Sequence, residues 1–426
     1  FGSRLVQGSV RRKDDDMMRR ILSSAGRRAA IFTLTTGGAA GLCTRKQPLV
    51  AQTLDKSVLS AIGNTPLVEI KSLSAATGCR IMAKMENLNP GGSVKDRAAL
   101  WLIQDAEEQG LLQPGDCIVE GTGGNTGIGL AVVANAKGYK TVFAMPESIA
   151  REKIEMMRTY GAEVILTPGV PFSDERHYFH VAAARGSQKG HLFTNQFENM
   201  ACSRAHYEST APEIWEQTGG HVDGFVCASG TGGTIGGCSR FLKEKDTSIQ
   251  CWIIDPPGSA LLPFVETKVE TLGTSPSSGK TRYAGDETVR YIERSPGSSI
   301  TEGIGIDRVT ANFASSQLDG AMMGSDREAV ETAYHLLRND GLFIGPSAAL
   351  NVVGAVKLAR RIAEKHGNQP EKQADSRPTV VTVICDGGDR YQSKMWTKSW
   401  LEEKQLVPRN SAAQPSAHPD GLWFID

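Results

Sequence analysis

Between about Val58 and Lys404 the chain alternates short apolar runs with longer amphipathic stretches. CRIMAKME precedes SVKDRAALWLIQDAEEQG, CIVEG precedes NTGIGLAVVANAKG, and TVFAMP precedes REKIEMMRTYG. Further apolar runs follow at AEVILTP, VDGFVCASG, CWIIDP and VVTVICDGG. The alternation predicts an α/β protein made of strand–helix units with mostly parallel sheets. In such sheets ligands bind where loops leave the carboxyl ends of the strands. Chemistry is therefore sought just after each apolar run.

Four such loops carry reactive or binding groups. Asn-Pro-Gly-Gly at 89–92 marks a sharp turn, and Ser93 is a candidate helix cap. Lys95 then falls in a first helical turn, at the positive end of the helix dipole, a setting that suits an amine acting as a nucleophile. An ordinary surface lysine is the competing reading. The second loop, Gly121 to Gly127, combines glycines with Thr122, Asn125 and Thr126 at a helix start, so it predicts an anion site for a phosphate or a substrate carboxylate. The third, Ser229 to Thr234, follows a strand and opens a helix. It fits a phosphate cup; a dinucleotide fingerprint is the rival, but both glycine loops miss that spacing by one residue. In the fourth, Ser347 stands at a helix start, either as a cap or as a partner for a cofactor ring nitrogen.

Composition narrows the classes. Of 426 residues, 40% are hydrophobic and 22% charged, with Lys+Arg and Asp+Glu equal at 47. No basic excess points to nucleic acid. The eight cysteines form no CxxC pair and no zinc spacing, so buried free thiols are expected and no metal site. The segment 270–283 nearly spells a phosphate-binding P-loop at Gly279-Lys280-Thr281, one residue too long, and reads as a surface loop. From Met17 to Leu54 there is no Asp or Glu, while Arg19, Arg20, Arg27 and Arg28 are basic, the composition of a mitochondrial transit peptide. Residues 29–44 are uncharged but shorter than the roughly 20 needed to span a bilayer. A short anchor and a cytosolic extension are the alternatives, and any membrane contact is confined to this segment. Residues 406–426 read as a polar, Pro/Ser-rich tail and are expected to be disordered.

Nine segments in order, IGNTPLVEI, KMENLNPGGSVKDR, EGTGGNTGIGLA, FTNQFEN, AHYESTAPEIWEQTGG, SGTGGTIGG, EGIG, GPSAA and CDGGDRYQS, resemble the cysteine synthase and cystathionine β-synthase family of pyridoxal-phosphate enzymes, fold type II. The resemblance covers roughly Ser57 to Leu401 and is closest to a fungal-like mitochondrial branch. It implies two open, mostly parallel sheets flanked by helices, with pyridoxal 5'-phosphate in the cleft between them. The implied domains are 1–54 as an extension, 89–199 as a smaller mobile domain, 55–88 with 200–405 as a larger one, and 406–426 as a tail.

The resemblance also implies roles. Lys95 would hold the cofactor and later move the α-proton. Gly230, Thr231, Gly232, Gly233 and Thr234 would hold its phosphate, Asn125 its ring hydroxyl and Ser347 its pyridine nitrogen. Thr122, Gly123, Asn125, Thr126 and Gln196 would bind the substrate carboxylate, and Gly303 would face the cofactor from the far side. The expected reaction is β-replacement on O-acetylserine with sulfide, in a homodimer. The sequence departs from the family at Gly123, where a serine is usual, and at Pro346. Gly123 keeps open other donors or nucleophiles, such as serine, O-phosphoserine, cyanide with cysteine, or cysteine desulfhydration. A catalytically weak binding scaffold is the reading from a different class.

Overall fold

The computed structural model describes residues 57–271, 281–284, 287–291, 294–366, 377–409 and 420–426. The basic N-terminal stretch therefore lies outside the described residues. The described residues fall in one compact unit.

Two sheets organise that unit. The larger runs in the order Leu67–Glu69, Arg80–Met85, Thr379–Ile384, Gly224–Cys227, Gln250–Asp255 and Gly320–Met323. Only its first pair is antiparallel. The smaller sheet is wholly parallel, in the order Glu163–Thr167, Lys140–Pro146, Cys117–Gly121 and His191–Phe193. Central strands such as Thr379–Ile384 are buried at every residue, as parallel strands covered on both faces must be. A short antiparallel ribbon joins Thr281–Ala284, Glu287–Tyr291 and Arg308–Val309. So the segment expected as a loop at 270–283 is helix to Thr271 and strand from Thr281, with 272–280 outside the described residues.

Each sheet reverses its winding once, and the site loops leave at those reversals. In the smaller sheet the order turns between Cys117–Gly121 and His191–Phe193, beside the loop that opens the helix Asn125–Lys137. In the larger it turns between Gly224–Cys227 and Thr379–Ile384, beside the loop that opens the helix Gly233–Lys245. A crevice forms at such a point because neighbouring connections lie on opposite faces.

The tail is corrected by the structure. Residues 410–419 lie outside the described residues, but Leu422, Phe424 and Ile425 are buried in the larger sheet's core. Arg360 anchors them, donating to Asp420 at 2.7 and 3.1 Å and to the Ile425 carbonyl at 2.8 Å. The apolar LWFI run after the polar stretch supplies the burial that composition averaged over the tail conceals.

Candidate functional site

One cavity of about 780 Å³ opens where the loops of both sheets meet. Lys95, Thr122, Gly123, Asn125, Thr126, Gln196, Gly230, Thr231, Gly232, Thr234, Gly303 and Ser347 all line it. Gly233 does not line it; it is packed against Cys202 instead, where an added Cβ would stand 3.1 Å from that residue.

Lys95 is the first residue of the helix Lys95–Glu108. Val94 occupies the cap position and its apolar side chain makes no capping hydrogen bond, so Ser93 Oγ takes the Lys95 N–H from two residues upstream, at 3.2 Å. The Val94 N–H donates to the Cys385 carbonyl at 2.8 Å, which ties this helix start to the end of Thr379–Ile384. Gly92 has φ +74° in the turn just before, a left-handed conformation glycine adopts without strain. Beside the lysine, burial pushes the Asp96 carboxyl up to about 7, although it accepts from the Gly91 N–H at 2.5 Å.

The loop after Cys117–Gly121 is braced from beneath. Thr126 Oγ donates to Gln196 Oε1 at 2.6 Å, and Gln196 Nε2 donates to the Gly121 carbonyl at 2.8 Å. Under them lies Glu120, fully buried, accepting from Thr194 Oγ at 2.5 Å, Gly121 N at 2.9 Å and Gln196 N at 3.1 Å. Burial outweighs those bonds and pushes its carboxyl up to about 7. Thr122 Oγ accepts from Gly124 N at 2.9 Å. Asn125 is held at both ends of its amide: Nδ2 donates to Asp386 at 2.7 Å, and Oδ1 accepts from Arg390 at 2.8 Å.

The loop after Gly224–Cys227 has the build of an anion cradle. Gly232 has φ +88° and presents the start of a thirteen-residue helix to the cavity. Side chains are excluded on both edges: a Cβ at Gly230 would meet the Gly303 carbonyl, and one at Gly232 the Phe313 backbone. The N–H groups at a helix start, of which Gly233 N makes a long bond of 3.4 Å to Thr231 Oγ, together with hydroxyls at Thr231 and Thr234, are the donor set a phosphate needs. Ser229 Oγ is buried beside them without a hydrogen-bond partner. Behind the cradle, His206 Nε2 lies 3.2 Å from Thr234 Oγ, and its Nδ1 lies 2.9 Å from Thr210 Oγ. Burial drives the His206 imidazole well below its usual range, so it is a neutral partner. It begins a π-helical turn, His206–Thr210, a distortion common at functional sites. Ser347, buried at 4% exposure near the start of the helix Pro346–His366, lines the wall next to Cys385.

Two further groups of residues escape sequence reading. Lys153 lies on the amphipathic helix Arg151–Thr159 and would be taken for a solvated charge, yet it is 1% exposed. It donates to Glu302 at 2.8 Å and to Tyr391 Oη at 2.9 Å. Tyr391 Oη in turn donates to Asp386 at 2.6 Å, so a polar chain runs from Glu302 to the amide of Asn125. Arg308 is the second case and is taken up below. No period or motif marks either; only the three-dimensional packing buries them.

A primary amine and a phosphate-sized anion cradle in one cavity suit a phosphate-bearing carbonyl compound. Comparison with known proteins agrees. The family described as pyridoxal-phosphate dependent enzyme matches residues 58–386. Cysteine synthase 1 of Neurospora crassa is 46% identical over 361 residues, 84% of this chain and 87% of the relative. A cysteine synthase of Dictyostelium discoideum is 43% identical over 360 residues, 84% and 88% of the two chains. The crystal structure of the O-acetylserine-dependent cystathionine β-synthase of Helicobacter pylori is 31% identical, with a TM-score of 0.64 over 80% of this chain and 97% of that one.

Proposed function

We propose a specific reaction for this chain, which belongs to the pyridoxal-phosphate-dependent enzymes: β-replacement on O-acetyl-L-serine, in which acetate leaves and sulfide enters to give L-cysteine. One observation carries this reading: the Lys95 amine shares its cavity with two glycine loops of different build, one fit for a phosphate and one for a carboxylate.

The residues present fit the cofactor. The glycine cradle excludes side chains where a phosphate would sit, and the orphaned Ser229 hydroxyl leaves a buried donor beside it. Gly230 to Thr234 would hold the phosphate, with His206 orienting the Thr234 hydroxyl. Asn125 and Ser347 would flank the ring, and Gly303 would face it. Bound there, pyridoxal phosphate supplies an electrophilic carbonyl and a conjugated ring that accepts electrons from the substrate Cα.

The protein's own groups do the rest. Lys95 retains the cofactor between turnovers and moves the proton at Cα in both directions. Thr122, Asn125, Thr126 and Gln196, with the Gly123 N–H, orient the substrate carboxylate. Ser347 offers a hydroxyl and no charge, so nothing on that wall enforces a protonated ring nitrogen. That favours loss of a β-group over amino transfer. Gly123 removes a hydroxyl from the carboxylate loop and keeps other β-substituted donors in view. We extend the reading to a homodimer, and to a mitochondrial address carried by the basic, acid-free stretch from Met17 to Leu54.

The test is the visible spectrum of the purified protein. The bound-cofactor band should change on adding O-acetyl-L-serine and return when sulfide is added, with cysteine and acetate formed in equal amounts. A band that ignores O-acetyl-L-serine but answers another donor would overturn the assignment of substrate. No cofactor band at all would leave the scaffold reading in its place.

A further inference from the structure

Arg308 is 3% exposed and lines the same cavity as Lys95. Three rings surround its guanidinium: Phe172, Phe197 and Phe179, with centroids 4.2, 4.5 and 5.1 Å from Cζ. Its Nε and Nη2 are buried and make no hydrogen bond. The paired carboxylate, Glu198 Oε1, stands 3.8 Å from Nε, beyond hydrogen-bond reach, and the other Glu198 oxygen is committed to the Ala311 N–H at 2.8 Å.

Aromatic faces offset part of the cost of burying a cation, but they do not fill donors in the guanidinium plane. A buried charged donor left unpaired is destabilising, and a methionine would pack among three phenylalanines without that cost. The arrangement therefore suits a ligand that completes it. A guanidinium fork matches a carboxylate, two donors to two oxygens. Glu198, whose Oε1 stands 3.8 Å from Nε, offsets the charge of the cation and keeps the surroundings close to neutral. An anion is then held weakly enough to depart.

We propose that Arg308 is the site that receives the carboxylate leaving group, a role that rests on the β-replacement reading above. When the Cβ–O bond of the donor breaks, its electron pair stays on the departing carboxylate oxygen, while the α-proton passes to Lys95. Arg308 meets that developing negative charge with donors already in place and nothing to reorganise. It sets specificity for β-substituents that depart as oxyanions able to accept two hydrogen bonds.

Two measurements test this. The first is equilibrium binding of trifluoroacetate to the cofactor-loaded enzyme, followed by ¹⁹F NMR with acetate as competitor. Binding should be saturable in the wild type and weaker by roughly 10-fold or more in Arg308→Met, with Arg308→Lys between them. The second is leaving-group dependence. The ratio of kcat/KM for O-acetyl-L-serine to that for β-chloro-L-alanine, whose chloride is spherical, should fall by roughly 10-fold in Arg308→Met. No saturable binding to the wild type overturns the proposal without any variant. Equal binding in all three proteins with an unchanged ratio also overturns it, and leaves Arg308 as a packing element. If neither donor alters the cofactor band, the reaction reading fails by itself, and the binding measurement still decides whether Arg308 takes a carboxylate.

Discussion

Gly123 and Gly303 face each other with room between them: a Cβ added at Gly123 would stand 3.6 Å from Gly303 Cα, an ordinary contact. Gly230, which faces the same residue, has no such room, because its Cβ would drive into the Gly303 carbonyl. The two glycines therefore differ in kind. Gly123→Ser should fold with an unchanged melting temperature and shift kcat/KM between donors. Gly230→Ala should weaken cofactor retention by about 10-fold or more, the consequence of overpacking by one methyl. Cofactor release on dialysis and donor kinetics check both. Serine at 123 leaving every donor ratio unchanged would remove that position from substrate selection.

Lys95→Ala should abolish covalent retention of the cofactor and lower turnover by at least 10²–10⁴-fold, roughly the range for losing a positioned base. Borohydride reduction followed by peptide mapping checks it: the wild type should carry the reduced cofactor on the peptide containing Lys95, and the variant on none.

Glu120 makes stability depend on pH in an unusual sense. Its carboxyl is pushed from 4.5 up to about 7 by burial, so between those values the folded state binds more protons than the unfolded one. Stability should then fall as pH rises across that window, by at most about 1.4 kcal/mol per unit from this one group. Glu120→Gln keeps an acceptor for Thr194 and removes the charge. It should flatten the slope between about pH 4.5 and 7 in urea titrations. An identical slope in both proteins would remove Glu120 from the account.

Glu302 acts in the opposite sense. Burial pushes its carboxyl up, but Lys153 and Lys394 more than offset this and hold it below its ordinary range. Its stabilisation is present above the ordinary carboxylate range and is lost as pH falls through the lower folded value. Lys153→Met strips the buried partner and should cost about 2–4 kcal/mol, less than a fully isolated charge would, because Lys394 still reaches Glu302. The urea midpoint measures it. The Glu302→Gln protein should lose part of the acid-side sensitivity.

Much of the site is legible in the sequence because its parts are local. A strand, a glycine loop and a helix start occupy about a dozen consecutive residues, so Gly121 to Thr126 and Ser229 to Thr234 announce their chemistry without reference to the rest of the chain. Lys153 and Arg308 do not, since a charged residue on an amphipathic helix or in a loop reads as solvated until its neighbours are known. Lys153 is buried by Glu302, 149 positions away. The mistaken tail has the same origin: Leu422, Phe424 and Ile425 pack into a core built by residues distant in the chain, with Arg360 and Glu328 holding the backbone beside them.

The strand Thr379–Ile384 lies between Arg80–Met85 and Gly224–Cys227, and the Cys385 carbonyl at its end holds the N–H just before Lys95. During synthesis the lysine and both glycine loops leave the ribosome long before this strand does. They cannot share a finished cavity until it inserts between its two neighbours. Cofactor capture is thus a late event in the assembly of the cavity, and it reports that synthesis has passed residue 384. A chain cut short before residue 379 would carry every residue of the glycine loops and lack the strand whose end seats the start of the Lys95 helix.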